Sequence, residues 1–273
     1  MTPRAVSIIG CGWLGFPLAE VLLKEGFKVK GSTTRSEKVP VLQKAGIFSF
    51  RLQGDPELEG EGIDDFFNAD TVVVTVPFRR GLPDPRFYQR QIHSIVKRCE
   101  ESPQVGFVIV TSSTSVYPAH IPLAVEAVDF QPDHPRARVL YDIERDLLTN
   151  KSFEATVVRC AGLYGGERKI GRFLAGQENL AGGMQPVNLI HRDDVVGIIA
   201  EIIRQDVRGE IFNACSDRHP ARRELYTAAA RAMGLQPPGF ADETETLTKI
   251  VSNEKVKARL GYHFLHPDPM GDV

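Results

Sequence analysis

The sequence predicts an α/β protein, in which a doubly wound parallel sheet covered by helices on both faces is followed by a small C-terminal α/β cap. Three observations predict it. Short β-branched apolar runs alternate with segments of helical period from residue 5 to about residue 160, the pattern of a sheet buried on both sides. Gly10, Gly12 and Gly15 fall directly behind the first of these runs. Beyond residue 160 the alternation loosens into Gly-rich loops with two further helical stretches. The expected organisation is a nucleotide-binding sheet domain over 1–160 and a substrate-binding cap over 161–273, some of whose segments pack back on the sheet domain. A chain of 273 residues is long enough to bury such a core.

In chain order, the runs at 5–9, 27–31, 47–52, 71–76, 105–111 and 155–160 are the expected strands, each four to eight residues of mainly apolar or β-branched type. Phe87, Ile92, Ile95, Val96 and Cys99 recur at three- and four-residue spacing, which predicts one apolar stripe on a helix ending near Glu101. Leu140, Ile143 and Leu147 form the same kind of stripe on a helix over 136–150. A helix over 195–203 is expected to be capped by Asp193 or Asp194, and another covers 222–233. The stretch 266–273 carries no periodic pattern and is expected to be loosely held.

Composition excludes several classes of function. Lys and Arg total 33 against 35 Asp and Glu, so no global cationic field exists to hold nucleic acid or an anionic membrane. Cys11, Cys99, Cys160 and Cys215 are far apart, with no CxxC pair and no zinc-ligand spacing; they read as reduced thiols of a cytoplasmic protein with no metal. Arg4 and the uncharged run 5–19 resemble the start of a signal peptide, but the run carries Gly10, Gly12, Gly15 and Pro17, and no small-residue cleavage site follows. No apolar stretch approaches the ~18 residues needed to cross a bilayer.

The most informative motif is GCGWLG, residues 10–15. Gly10 permits a tight turn, Gly12 lets a diphosphate approach the main chain, and Gly15 allows close packing of helix on strand. Trp13 and Leu14 bring further main-chain N–H groups to the helix N-terminus, where an anion is favoured. This is the signature of a Rossmann-type sheet. About 20 residues further on, where an NAD site carries Asp or Glu, the chain reads Gly31, Ser32, Thr33, Thr34 and Arg35. Three hydroxyls and a guanidinium suit a 2′-phosphate, so NADP is the preferred cofactor, with NAD as the alternative.

With the glycine motif, VTSSTSVYP (110–118) resembles the extended short-chain dehydrogenase/reductases, also called the NAD-dependent epimerase/dehydratase family. VVRCAGLYGG (157–166), NLIHRDDV (188–195) and IFNACSDRHPARRELY (211–226) extend the likeness over nearly the whole chain. GSTTR (31–35) and TVPFRRG (75–81) resemble its atypical YeeZ-like branch. The resemblance implies that Pro77, Thr111 and Ser112 line the cofactor and that Ser113, four residues before Tyr117, bonds the substrate oxygen.

It also implies a Tyr/Lys acid–base pair at YxxxK spacing, and here the sequence departs from the family. In one frame the pair is Tyr141 with Arg145, where arginine cannot join a proton relay as lysine can. In the other, set by Glu144, Arg136 and Leu140 occupy the two positions and the pair is gone.

Arg79 and Arg80, in the loop after the fourth strand, and Tyr164, Arg168, Lys169 and Arg172, in the loop after the sixth, suit a small anionic substrate; His191 is a further candidate. Cys160 reads as a packed thiol. The expected activity is hydride transfer between NADP(H) and an alcohol or carbonyl. A catalytically degenerate NADP sensor and a sugar-nucleotide epimerase or dehydratase with tightly held NAD are the alternatives. The resemblance further implies a homodimer paired through the helices over 86–101 and 136–150.

Overall fold

Each apolar run becomes a strand and each amphipathic segment a helix in the computed structural model, which describes residues 4–78, 81, 84–242 and 248–273. In order these are β1 (Ala5–Ile9), α1 (Gly15–Lys24), β2 (Lys28–Thr33), α2 (Val39–Lys44), β3 (Phe48–Gly54), β4 (Leu58–Gly60), α3 (Ile63–Phe67), β5 (Thr71–Val74), α4 (Arg86–Glu101), β6 (Phe107–Ser113), β7 (Leu123–Ala124), α5 (Pro135–Leu148), β8 (Glu154–Cys160), β9 (Gly162–Tyr164), β10 (Leu189–His191), α6 (Arg192–Gln205), β11 (Ile211–Ala214), α7 (Arg222–Ala232), β12 (Ile250–Val251) and α8 (Glu254–Leu260). Among the described residues no helix is long and apolar enough to cross a membrane.

The main sheet has the order β11-β8-β6-β5-β1-β2-β3-β4. β1 lies parallel between β2 and β5, β2 pairs parallel with β3, β5 pairs parallel with β6, and the edge strand β4 runs antiparallel to β3. The direction of winding therefore reverses between β1 and β5. In open α/β sheets the crevice outside the carboxyl ends of such a pair is where ligands bind. Both strands are largely apolar inside, with Val6, Ile8, Val72 and Val73 completely buried beside the buried hydroxyls of Ser7, which donates to the Phe66 carbonyl at 2.6 Å, and Thr71.

The chain forms two compact units. The first comprises Met1–Val116, Pro132–Val158 and Ile199–Ile211; the second comprises Tyr117–Gln131, Arg159–Ile198 and Phe212–Val273. The division is interleaved, with 117–131 in the second unit and 199–211 in the first. In the second unit β9 pairs with β10 and β7 with β12, both in parallel. A core of Tyr164, Ile170, Val187, Leu189, Leu225 and Ala229 sits under the turn after β9 and against α7.

Three local expectations change. On α4 the side chain closing the stripe is Tyr88, which is buried, while Phe87 and Val96 are only half-buried. Tyr88 is held there because its hydroxyl donates to the Val76 carbonyl at 3.1 Å. α6 starts at Arg192, so Asp193 and Asp194 lie in its first turn rather than at its cap. Asp194 is instead buried, accepting from Tyr262 Oη (3.0 Å), Leu265 N (2.7 Å) and His266 N (3.0 Å). Finally, 266–273 is not a loose end: Pro269 is buried and Met270 packs on the core of the second unit.

Candidate functional site

Gly10 takes φ +88°, a left-handed conformation that glycine adopts without strain, and turns the chain from β1 towards α1. Gly15 has no room for a side chain, since a Cβ there would lie 2.6 Å from the Gly10 oxygen and 3.0 Å from Ile8 Cγ2. Gly12 is different. A Cβ on it would meet only the Gly10 oxygen, at 3.8 Å, so the residue is exposed and its free face is open. The three roles expected from the motif thus separate in space: a turn, an open approach and a close packing contact.

α1 begins at Gly15 with Leu14 as its N-cap, without a side-chain capping bond and without an acidic residue in its first turn. Its amide ends are therefore presented without a competing side-chain cap, the arrangement that attracts phosphate oxygens. Pro17 stands at the third helical position, where its missing N–H costs no intrahelical bond. Leu14 is buried and Trp13 half-buried, which anchors the loop.

Side chains of neighbouring strands fasten the loop from behind. Ser32 Oγ accepts from Gly10 N at 3.1 Å, and Cys11 N donates to the Ser32 carbonyl at 2.8 Å. Thr75 Oγ1 donates towards the carbonyls of Gly10 (2.7 Å) and Ile9 (3.1 Å). Thr75 was not among the sequence candidates. Gly31 was singled out only for its place in GSTTR, yet a Cβ there would lie 2.8 Å from Ile47 Cγ2 and 3.0 Å from Cys11 Sγ. Burial, with a smaller contribution from Glu20, pushes the Cys11 thiol up to about 12, so it is packing rather than chemistry.

Among the residues expected to meet a 2′-phosphate, Ser32 is buried and its hydroxyl accepts from Gly10 N. Thr33 Oγ1 accepts from Arg35 N at 3.2 Å, a local turn. Thr34 and Arg35 remain exposed just past β2.

At the end of β6, Thr111 Oγ1 donates to the Val74 carbonyl at 3.2 Å, and Ser113 Oγ accepts from Ser115 N at 3.1 Å. Ser112 hydrogen-bonds the buried carboxyl of Glu144 on α5. Pro77 is exposed; next to it the Phe78 ring stacks on Tyr88 at 4.5 Å and lies 4.1 Å beneath the Arg136 guanidinium. Arg79 and Arg80 lie outside the described residues.

The two frames for the acid–base pair now have positions. Arg145 is exposed and pairs with Asp146 at 3.2 Å and Asp142 at 3.8 Å, while Tyr141 is half-buried on the same helix. In the other frame Arg136 faces Phe78, to whose carbonyl it donates at 3.4 Å, and Leu140 is buried. Neither frame offers a lysine.

In the second unit, Tyr164 and His191 come together and Arg172 does not join them through any described contact. Tyr164 is buried and donates its hydroxyl to Asp272 Oδ2 at 2.6 Å; His266 Nδ1 meets Asp272 Oδ1 at 2.8 Å. The His191 and His266 rings stack at 3.6 Å, and His191 Nδ1 accepts from Asp193 N at 3.2 Å. Burial first, then the Asp272 carboxylate, raises the Tyr164 phenol above its ordinary value and keeps it a donor. Burial, then neighbouring His266, holds His191 below the ordinary imidazole value.

His191, Asp193 and His266 place ligand atoms within 4.8 Å of one another. Stacked imidazoles direct their in-plane lone pairs side by side rather than onto one point, so the cluster is not preorganised for an ion. Arg172 is exposed in a short turn over Ile170–Arg172. Cys160 is buried, which pushes its thiol up to about 12, as a packed cysteine should be.

No family model matches the chain. It is 35% identical over 270 residues to protein YeeZ of Escherichia coli (strain K12), covering 98% of each chain. Among solved structures, a short-chain dehydrogenase/reductase superfamily protein from Agrobacterium tumefaciens with bound NAD superposes with a TM-score of 0.77 at 17% identity, covering 98% of this chain and 95% of that one. UDP-glucuronic acid 4-epimerase from Bacillus cereus, in complex with NAD, superposes with a TM-score of 0.78 at 15% identity, covering 97% and 95%.

Proposed function

The chain belongs to the YeeZ family and has the Rossmann-type fold of the short-chain dehydrogenase/reductases; from that premise we propose that it is a nicotinamide-dinucleotide-dependent oxidoreductase or epimerase of the atypical extended type. One observation carries the proposal: an open-faced Gly12 before an uncapped helix at the β1/β5 switch point. The fit is good, because Ser32 and Thr75 hold the loop's backbone from behind while the helix N-terminus carries no side-chain cap. Gly12 would give the diphosphate its approach and the main-chain amides over 13–15 would bind it, and the nicotinamide, when bound, accepts or gives up hydride.

NADP is the preferred form. Thr34 and Arg35 stand exposed past the end of β2, and the stretch from Gly31 to Arg35 carries no carboxylate to receive ribose hydroxyls. Ser113 orients the substrate oxygen: its acceptor side is taken by Ser115 N, which leaves its own O–H to donate. The substrate is a small alcohol or carbonyl compound, anionic in character; Arg79 and Arg80 in the first unit, and Tyr164, Arg172 and His191 in the second, are each read as ligand-facing within their own unit. A homodimer paired through α4 and α5, in the cytoplasm, completes the reading.

The test is calorimetric titration of the folded chain with NADPH, NADH, NADP and NAD. Binding with NADPH or NADP favoured is expected; no heat with any of the four overturns the proposal. A second reading, a nucleotide-binding sensor without turnover, is favoured by one observation: Arg145, the only basic partner for Tyr141 in the first frame, is engaged by Asp142 and Asp146 on the surface. NADPH binding without oxidation across a carbonyl panel would select it. Tightly held NAD in the purified chain would instead select the sugar-nucleotide epimerase reading, against which the missing carboxylate after β2 stands.

A further inference from the structure

We propose that the turn Pro269–Asp272 is a built-in occupant of a carboxylate-binding site in the second unit, and that the same site takes an external ligand made of an apolar chain ending in a carboxylate. This rests on the reading of Tyr164 and His191 as ligand-facing. The turn itself sketches the ligand. Met270 lies against the apolar core that includes Tyr164, Leu189 and Leu225, and two residues later the Asp272 carboxylate meets one donor at each oxygen.

Both donors are positioned by groups other than the turn. Tyr164 ends β9, whose register with β10 places it opposite His191, and the two rings meet edge to face at 5.1 Å. His266 is fixed by its main-chain N–H to Asp194 (3.0 Å) and by stacking on His191 (3.6 Å). Gly165, at φ +109°, lets the chain after β9 pass directly against the His191 ring, where a side chain would collide. The donor pair is therefore a fixed fork, of the kind that recognises a carboxylate by both oxygens.

The occupant is held more lightly than the site. Its main-chain bonds are internal, from Gly271 N to the Asp268 carbonyl (3.0 Å) and from Met270 N to Asp268 Oδ1 (2.9 Å). The Asp272 side chain keeps about a quarter of its surface in solvent. A turn with local main-chain bonds, the apolar side chains of Pro269 and Met270 and one carboxylate is displaceable by a ligand that offers the same apolar and carboxylate groups.

The probe is hexanoate, with hexanamide as the uncharged control, titrated by calorimetry into the full chain and into its Met270→Gly/Asp272→Asn double variant. The variant is expected to bind hexanoate at least tenfold more tightly than the parent chain, and Tyr164→Phe on that background to lose most of the gain. Hexanamide should show no such gain. A folded double variant that binds hexanoate no better than the parent overturns the proposal. If the double variant does not fold, Asp272→Asn alone is used with amide exchange at Gly271, which hexanoate should accelerate; unchanged exchange overturns it equally. NADPH titrated into the same samples reports on the first unit, so failure here is distinguishable from failure of the dinucleotide assignment.

Discussion

The glycine loop of the first unit and the Tyr164 cluster of the second solve opposite problems with similar side chains. Around the loop, hydroxyls are turned inward onto backbone: Ser32 on Gly10 N, Thr75 on the Gly10 carbonyl, Thr111 on the Val74 carbonyl. What faces outward is main chain. Around Tyr164, side chains are bonded to one another, Tyr164 and His266 to Asp272 and Tyr262 to Asp194. The first is an open site whose specificity lies in backbone shape; the second is a closed one whose specificity lies in side-chain donors. Substitutions on the open face should therefore separate binding from stability in the first, whereas those at its packed turn, and any in the second, should couple them.

The largest effect is expected for Gly15→Ala. Its Cβ would press on the Gly10 oxygen and Ile8, so a loss of roughly 1–3 kcal/mol in denaturant unfolding and undetectable NADPH binding are expected. An alanine variant that keeps both would break the idea that backbone shape defines the loop. Next is Arg35→Asp, which replaces a charged donor worth about 1.5–3 kcal/mol and should weaken NADPH by about 10–100-fold with little effect on NADH. Equal effects on the two coenzymes would remove the 2′-phosphate from the account.

Gly12→Ala sharpens the contrast, because the open face predicts stability within about 0.5 kcal/mol of the parent together with a fall in NADPH affinity. In the second unit Tyr164→Phe should cost about 1 kcal/mol in urea unfolding, through the lost bond to Asp272, and leave NADPH affinity unchanged.

The smallest expected effect is on pH dependence. Burial depresses the folded-state values of His191 and His219, so below the ordinary imidazole range the unfolded chain binds more protons than the folded one. Their contribution is complete above about pH 6.5 and is lost as pH falls towards the depressed folded values. Melting temperature should drop between pH 7.5 and 5.5, and His191→Asn should flatten the drop.

The same contrast explains what could be read from the sequence. The strands, the α4 and α5 stripes and the glycine loop depend on spacing within a few residues, and the structure places them where that spacing puts them, with ends shifted by up to two residues. Thr75 escaped notice because its partner is the carbonyl of Gly10, 65 positions away, and no local pattern marks a threonine for that role. Glu144 and Ser112 are 32 residues apart, and Tyr164 and Asp272 are 108 apart. The turn around Asp272 was expected to be loose because its anchors are elsewhere in the chain. Ser32 shows the converse, since residue type marked it as a ligand contact and gave no sign that its hydroxyl would also be the acceptor for the part-buried Gly10 amide.

The first unit is completed by residues encoded far downstream. Arg4, beside β1, bonds Asp206 at 2.8 Å, and the ends of β8 meet 209–210 through Gly209 N to Ala155 and Val157 N to Glu210. On the ribosome, β8 must therefore wait for about fifty further residues before its outer partner β11 is made. During that interval the nascent β8 edge is unpaired, and an unpaired edge strand is a template for pairing with another chain.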